Sequence, residues 1–211
     1  MGYFPIFLEL SGRPCVVIGG GPVAARKAQA LLAAGASVTV ISPVLNADLE
    51  ALAGARRIRH TERAYRSGDL AGYGLAFVAT DDGDVNAAVA REGQERGVWV
   101  NTADDPAHCD FILPSVLRRG ELVVAVATGG ASPALSRVIR EELEAYFTDD
   151  YALLAEVVAE VRREMRRHAS APSAEAWRTA LDADVRRLIA EGRRDDAKTH
   201  LLARLGAGPC G

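Results

Sequence analysis

The run Gly19-Gly20-Gly21-Pro22-Val23-Ala24 has the form G-x-G-x-x-A. An apolar stretch precedes it and an Ala/Leu-rich stretch follows. In that setting the first glycine permits a tight turn and the second lets the backbone approach a pyrophosphate. The small sixth residue lets a helix pack closely on a strand. A helix starting there offers free N–H groups and a positive dipole end to phosphate oxygens. The pattern points to a dinucleotide held by Gly19, Gly21, Pro22 and Val23. The next apolar run ends Val40-Ile41-Ser42-Pro43-Val44, without the usual Asp or Glu for the ribose. That contact would fall to Ser42 and to the backbone of Pro43 and Val44. No Arg follows directly to hold a 2′-phosphate, so NAD is expected rather than NADP. Thr80, in Thr80-Asp81-Asp82, is a further candidate cofactor contact, with Asp82 read as a helix cap.

A second cluster is Asn101-Thr102-Ala103-Asp104-Asp105-Pro106-Ala107-His108-Cys109-Asp110. A carboxylate beside a nicotinamide can accept a proton as hydride leaves the substrate. Asp104 is the catalytic candidate, Asp105 and His108 are candidate substrate contacts, and Asp104 or His108 could also receive a divalent metal. Thr128-Gly129-Gly130-Ala131-Ser132-Pro133 is a second glycine-rich junction without the lysine of a P-loop. Its backbone amides could hold a substrate carboxylate; a tight turn before a capped helix is the simpler reading. Arg118 and Arg119 sit at an expected hairpin tip. Arginine grips carboxylates through a planar fork that lysine lacks. Cys15, Cys109 and Cys210 are too scattered for a metal or disulfide framework.

These residues need elements to place them. Strands are expected at 14–18, 37–41, 57–60, 75–79 and 98–100. Helices are expected between them at 23–34, 46–53 and 82–96, with Gly35 and Gly97 as C-terminal caps. Strand and helix in alternation mean βαβ units and a parallel sheet. Such sheets bind ligands at the carboxyl ends of their strands, and the glycine turn, Ser42–Val44, Thr80 and the acidic loop all lie there. A strand at 122–127 and a helix at 132–147 should follow. Helices are then expected at 151–168, 174–191 and 195–205, with 206–211 as a frayed tail. The fold class is α/β: a Rossmann-like parallel sheet over 1–113, a small α+β segment over 114–148 and an all-helical domain over 149–211.

The composition, 49% hydrophobic and 25% charged, excludes a disordered or collagen-like chain. No window is long and apolar enough for a transmembrane helix. The first residues lack the basic and small-residue features of a signal peptide, so the expected location is the cytoplasm. A net charge of −3 argues against a nucleic-acid partner. Residues 1–113 hold 10 Lys+Arg and 13 Asp+Glu, and residues 114–211 hold 15 of each. Lys27 and Lys198 are the only lysines, so an acidic substrate would meet arginines.

Pro5-Ile6-Phe7, the run from Val17 to Lys27, Ala79-Thr80-Asp81-Asp82, Val100 to Pro106, Phe111-Ile112-Leu113-Pro114-Ser115 and Ala127 to Pro133 occur in one order. Together they resemble the precorrin-2 dehydrogenase family, the dehydrogenase/ferrochelatase module of siroheme synthase. The resemblance covers residues 3 to 147 by motif and the helical tail by position and length only. It implies NAD-dependent oxidation of precorrin-2, an eight-carboxylate tetrapyrrole, to sirohydrochlorin. In some members it also implies insertion of Fe2+ to give siroheme. It implies a homodimer, with 114–148 as the dimerisation segment. The family's important aspartate, in an Asn-x-x-Asp loop, matches Asp104. Thr128 stands where some members have serine before Gly-Gly. With 211 residues, the methyltransferase fused to some members is not expected. The alternatives are a non-catalytic NAD-sensing module, or another NAD(P)-dependent oxidoreductase acting on an acidic substrate.

Overall fold

The structure, a computed structural model, describes residues 2–103, 105–168 and 170–206. It contains two compact units, Met1–Ile112 and Leu113–Gly211.

The first unit is an α/β layer structure. Its strands are β1 (Pro14–Ile18), β2 (Ser37–Ile41), β3 (Arg59–Thr61), β4 (Leu75–Val78) and β5 (Trp99–Thr102). Its helices are α1 (Pro22–Ala33), α2 (Ala47–Gly54) and α3 (Gly83–Arg96). The sheet is parallel throughout, in the order β3-β2-β1-β4-β5. The strands read as continuous apolar runs because both faces are covered. Val17, Val38 and Val40 pack with Ala24, Ala28, Leu31 and Leu49, whereas Val16, Ile18, Ile41 and Val78 pack with Val89, Val98 and Val100. The chain works outward from β1 to β3, then returns to the other side of β1 as β4. That reversal puts the switch point at the carboxyl ends of β1 and β4, where such sheets hold ligands.

Most boundaries in this unit agree with expectation to within one residue, and two strands differ by two. β3 is a short edge strand at Arg59–Thr61 rather than 57–60. β5 runs on to Thr102, so Asn101 is in the sheet and not in the loop. The cause is pairing with β4, in which Asn101 meets Phe77 and Thr102 meets Val78, while the returning segment bonds the strand as well. Asp110 N–H donates to Val100 O and Val100 N–H donates to Asp110 Oδ2, both at 2.8 Å. Asp110 thus supplies hydrogen bonds that another strand would have made. Asn101 Nδ2 donates to Phe111 O at 2.9 Å, satisfying a buried amide.

The second unit begins with a hairpin, β6 (Ser115–Arg119) and β7 (Leu122–Val126), paired antiparallel. Gly120 turns it at φ +55°. Helix α4 (Pro133–Tyr146) packs on the hairpin. Helices α5 (Asp150–Arg167), α6 (Ala174–Ala180), α7 (Ala183–Ala190) and α8 (Arg194–Arg204) follow. Val157, Val161 and Met165 project from α5 at four-residue spacing and meet Val185, Ile189 and Leu201 in the core. The helix expected over 174–191 is two helices. Asp182 accepts a hydrogen bond from Val185 N–H at 3.0 Å and so caps a new helix. Its other oxygen lies 3.1 Å from His200 Nε2 on α8, which holds the break in place.

Candidate functional site

The glycine turn joins β1 to α1, and its three glycines do different work. Gly19 has φ +119°, and a Cβ there would lie 2.2 Å from Ala79 O. Only glycine fits, since both the left-handed backbone and the adjacent β4 end exclude a side chain. At Gly20 a Cβ would lie 1.8 Å from Val44 O and 2.6 Å from Ser42 Oγ. Asn46 N–H also donates to Gly20 O at 2.8 Å, fastening the turn to the loop after β2. The motif reading passed over this middle glycine, which sits hardest against its neighbours. At Gly21 a Cβ would meet nothing within 4 Å. The turn is packed from below and open above its third glycine. Ala24 is fully buried, as close packing of helix on strand requires.

Gly21 is the N-cap of α1, with Pro22 in the first turn. No side chain caps this helix, and its first turn has no acidic residue. In contrast, Asn46 caps α2 and Asp82 caps α3, each with acidic residues in the first turn. An uncapped helix start carries unpaired amides and partial positive charge. A phosphate is the group that answers both, so the cradle suits a dinucleotide pyrophosphate.

The other expected cofactor contacts surround this point. Ser42 is nearly buried and its Oγ donates to Val44 O at 2.7 Å, which shapes the Ser42-Pro43-Val44 turn. Its hydroxyl proton is engaged, leaving lone pairs for a ribose hydroxyl. His60 Nε2 lies 2.9 Å from Ser42 O and can only donate to that carbonyl. Pro43 and Val44 are exposed. Thr80 Oγ1 donates to Asn86 Oδ1 at 2.8 Å and accepts from Asp82 N–H at 3.2 Å, tying the β4 end to α3. Asp82 accepts from Asp84 and Val85 N–H, as its reading as a cap requires. Behind the site, Lys27 Nζ stands 5.3 Å from the centre of the Phe77 ring, and Phe111 packs edge-on against that ring.

After β5, Asp105 Oδ2 lies 2.6 Å from His108 Nδ1, in the 3-10 turn Pro106–His108. Against an ionised carboxylate Nδ1 is the donating nitrogen of this pair. Cys109 Sγ accepts from Thr102 N–H and donates to Thr102 O, both at 3.2 Å. Burial pushes the Cys109 thiol up, so it serves as a neutral knot in the loop. Asp104 lies outside the described residues.

The remaining candidates belong to the second unit. Arg118 is exposed near the hairpin tip. Arg119 Nε stands 3.1 Å from Asp149 Oδ1 and its Nη1 donates to Arg118 O. Thr128 Oγ1 accepts from Ser132 N–H and donates to Ser132 O, both at 3.0 Å. Its hydroxyl therefore holds the turn. Gly129 and Gly130 have φ +63° and +84°, with open space where side chains would stand. Ser132 caps α4 through Leu135 N–H.

A group of Asp182, Asp184 and His200 has metal-like spacing, but Asp182 is already engaged by Val185, His200 and Arg204. Among the described residues no helix is long and apolar enough to cross a membrane.

Comparison with known proteins bears on both units. A family model described as "Putative NAD(P)-binding" matches residues 6–115. A second, described as "Sirohaem biosynthesis protein central", matches residues 119–146. Siroheme synthase of Methylococcus capsulatus is 41% identical over 204 residues, covering 96% of this chain and 43% of that protein. Siroheme synthase of Photobacterium profundum is 40% identical over 204 residues, covering 96% and 44%. The chain thus spans less than half the length of these relatives. The solved structure of SirC, precorrin-2 dehydrogenase, matches with a TM-score of 0.78 at 25% identity, covering 95% of this chain and 100% of that one.

Proposed function

This chain belongs to the NAD(P)-binding family whose model spans residues 6–115, and from that premise we propose that it oxidises precorrin-2 to sirohydrochlorin with NAD. One observation carries the reading. A glycine turn that tolerates no side chain at Gly19 or Gly20 leads into an uncapped helix with open space at Gly21. The likeness to SirC, over nearly the whole chain, supplies the substrate class.

Gly21, Val23 and the amides of the first α1 turn hold the pyrophosphate. Ser42, Pro43 and Val44 line the ribose, and Thr80 borders the switch point from β4. When bound, NAD supplies the hydride acceptor. The two-electron oxidation of the substrate would also release a proton, which a base of this chain would take. Asp104 is the proposed base or substrate-orienting carboxylate. Asp105 and His108 form a hydrogen-bonded pair beside it in sequence. Arg118, Arg119 and the amides of Thr128, Gly129 and Gly130 are proposed to hold substrate carboxylates. Much of the rate then comes from orienting macrocycle against nicotinamide.

Ferrous iron enters as a second substrate. His108 favours this, because a neutral imidazole whose Nδ1–H is held by a carboxylate presents Nε2 in the form that ligates metal. Leu113, Val116, Leu135, Val138 and Tyr146 are large apolar side chains left exposed between residues 113 and 146, and a second copy of the chain is the proposed cover. The cytoplasm is the proposed location.

The test is incubation of the purified chain with precorrin-2 and NAD. Growth of the sirohydrochlorin spectrum together with NADH is expected. A folded protein giving no NAD-dependent change overturns the proposal. Asp104→Ala should abolish turnover while NAD binding persists; near-full turnover removes Asp104 from the chemistry. Sirohydrochlorin with Fe(II), against a no-enzyme control, tests iron insertion.

A further inference from the structure

Helix α5 carries several like charges one helical turn apart, and two of these pairs meet different surroundings. Glu160 and Glu164 are answered by α8: Arg194 pairs with Glu160, and Lys198 Nζ stands 2.8 Å from Glu164 Oε2. Arg162 and Arg166 form the second pair and are exposed. Among the described residues neither has a carboxylate within ion-pair distance, and the exposed Arg163 and Arg167 beside them likewise have none. Elsewhere in the bundle Arg178, Arg187, Arg193 and Arg204 each hold one. Two unanswered guanidiniums at i and i+4 repel each other.

Arg162 and Arg166 line a half-open pocket of about 470 Å³ between α5, α6 and the connecting residues 170–172. Met165, which is buried, and Val158, Trp177 and Leu181, which are half-buried, form its apolar wall. The volume falls within the range of small-molecule sites, which are mostly apolar with a few placed polar groups. Guanidinium forks match carboxylates, and an indole wall matches a flat apolar body.

We propose that this cavity binds a small, flat, apolar dicarboxylate, its body against Trp177 and Met165 and its carboxylates on Arg162 and Arg166. Charge complementarity selects an anion, and a volume of about 470 Å³ suits a small molecule. The site is built wholly from residues 158–181, so it stands or falls independently of the dehydrogenase reading.

Naphthalene-2,6-dicarboxylate is a suitable probe, titrated into the full chain carrying Trp99→Phe. Trp177 is then the sole tryptophan and its emission reports occupancy. Saturable quenching is expected. Arg162→Gln with Arg166→Gln should weaken binding by about tenfold or more, as loss of charge-assisted hydrogen bonds predicts. The dimethyl ester should bind less tightly by a similar factor. NAD affinity should not move and the unfolding midpoint should not fall, because both arginines are exposed and removing them relieves their mutual repulsion. Arg162→Gln alone should give a smaller loss than the double replacement. Absence of saturable binding, equal affinity in the double variant, or competition by NAD would each overturn the proposal.

Discussion

Gly21→Asp separates the cofactor cradle from the fold with two effects of opposite sign. Gly21 has φ −84° and ψ −174°, extended backbone open to any residue, and a Cβ there meets nothing within 4 Å. The new carboxylate would therefore enter without a clash. It would also stand at the N-cap of a helix that lacks a side-chain cap. Aspartate improves on glycine there by a few tenths of a kcal/mol, and its charge against the helix dipole adds about 0.3–1 kcal/mol. The apoprotein should therefore melt a few degrees higher, since about 1 kcal/mol moves a unit of this size by roughly 4–8 °C. The same carboxylate occupies the amides proposed for the pyrophosphate. Losing one charge-assisted hydrogen bond costs about 1.5–3 kcal/mol. Repulsion between two unit charges at roughly 4 Å adds about 1 kcal/mol even at the dielectric of water. NAD affinity should fall by about a hundredfold or more. Calorimetric titration with NAD and a thermal scan without it measure both quantities. Unchanged affinity in the folded variant would show that the pyrophosphate lies elsewhere. A melting point lowered by several degrees would show that the space above Gly21 is not open.

Three further outcomes follow from the packing. Gly20→Ala places a Cβ against Val44 O and should destabilise the first unit by about 1–3 kcal/mol, read as a lower urea midpoint at constant slope. Glu92 is 4% exposed and accepts from Tyr65 OH at 2.5 Å, Gly68 N–H at 3.0 Å and Leu70 N–H at 3.1 Å, with Arg96 at 2.7 Å. Burial raises its pKa, but the bonds from Tyr65, Gly68, Leu70 and Arg96 outweigh it, and the net direction is down. The unfolded chain then takes up the proton first as pH falls. This stability is complete above about pH 4.3 and is lost as pH drops through the lower folded value. Glu92→Gln should cost about 1–3 kcal/mol at pH 7, and the gap to the parent should narrow in acid, by denaturant titration at several pH values. Asp182→Ala removes the α7 cap and should cost about 1 kcal/mol in the helical unit, seen in its unfolding midpoint.

Much of the sheet was legible because its cause is local. Four consecutive buried positions in β1 and in β2 require unbroken apolar runs, and those runs stand in the sequence between helix-forming stretches. The caps at Asp82 and Ser132 were legible for the same reason, since a side chain reaching its own following amides needs no distant partner. Asp110 and Asp182 were not. One completes a strand ten residues earlier, and the other breaks a helix by holding a residue on α8. Glu92 reads as an ordinary exposed helix residue until the segment 65–70 folds over it.

The residue order alone marked a glycine turn after the first strand as the proposed phosphate cradle, since G-x-G-x-x-A works through the turn's own backbone. It also marked the positions that should gather at the strand ends, because alternation of strand and helix dictates a parallel sheet. Tertiary structure decided which glycine bears the closest packing, which hydroxyls remain available, and which charges lack partners. Those properties are sums over neighbours far apart in the chain: Val44 against Gly20, Asn86 on Thr80, and a carboxylate supplied to Arg194 but not to Arg162.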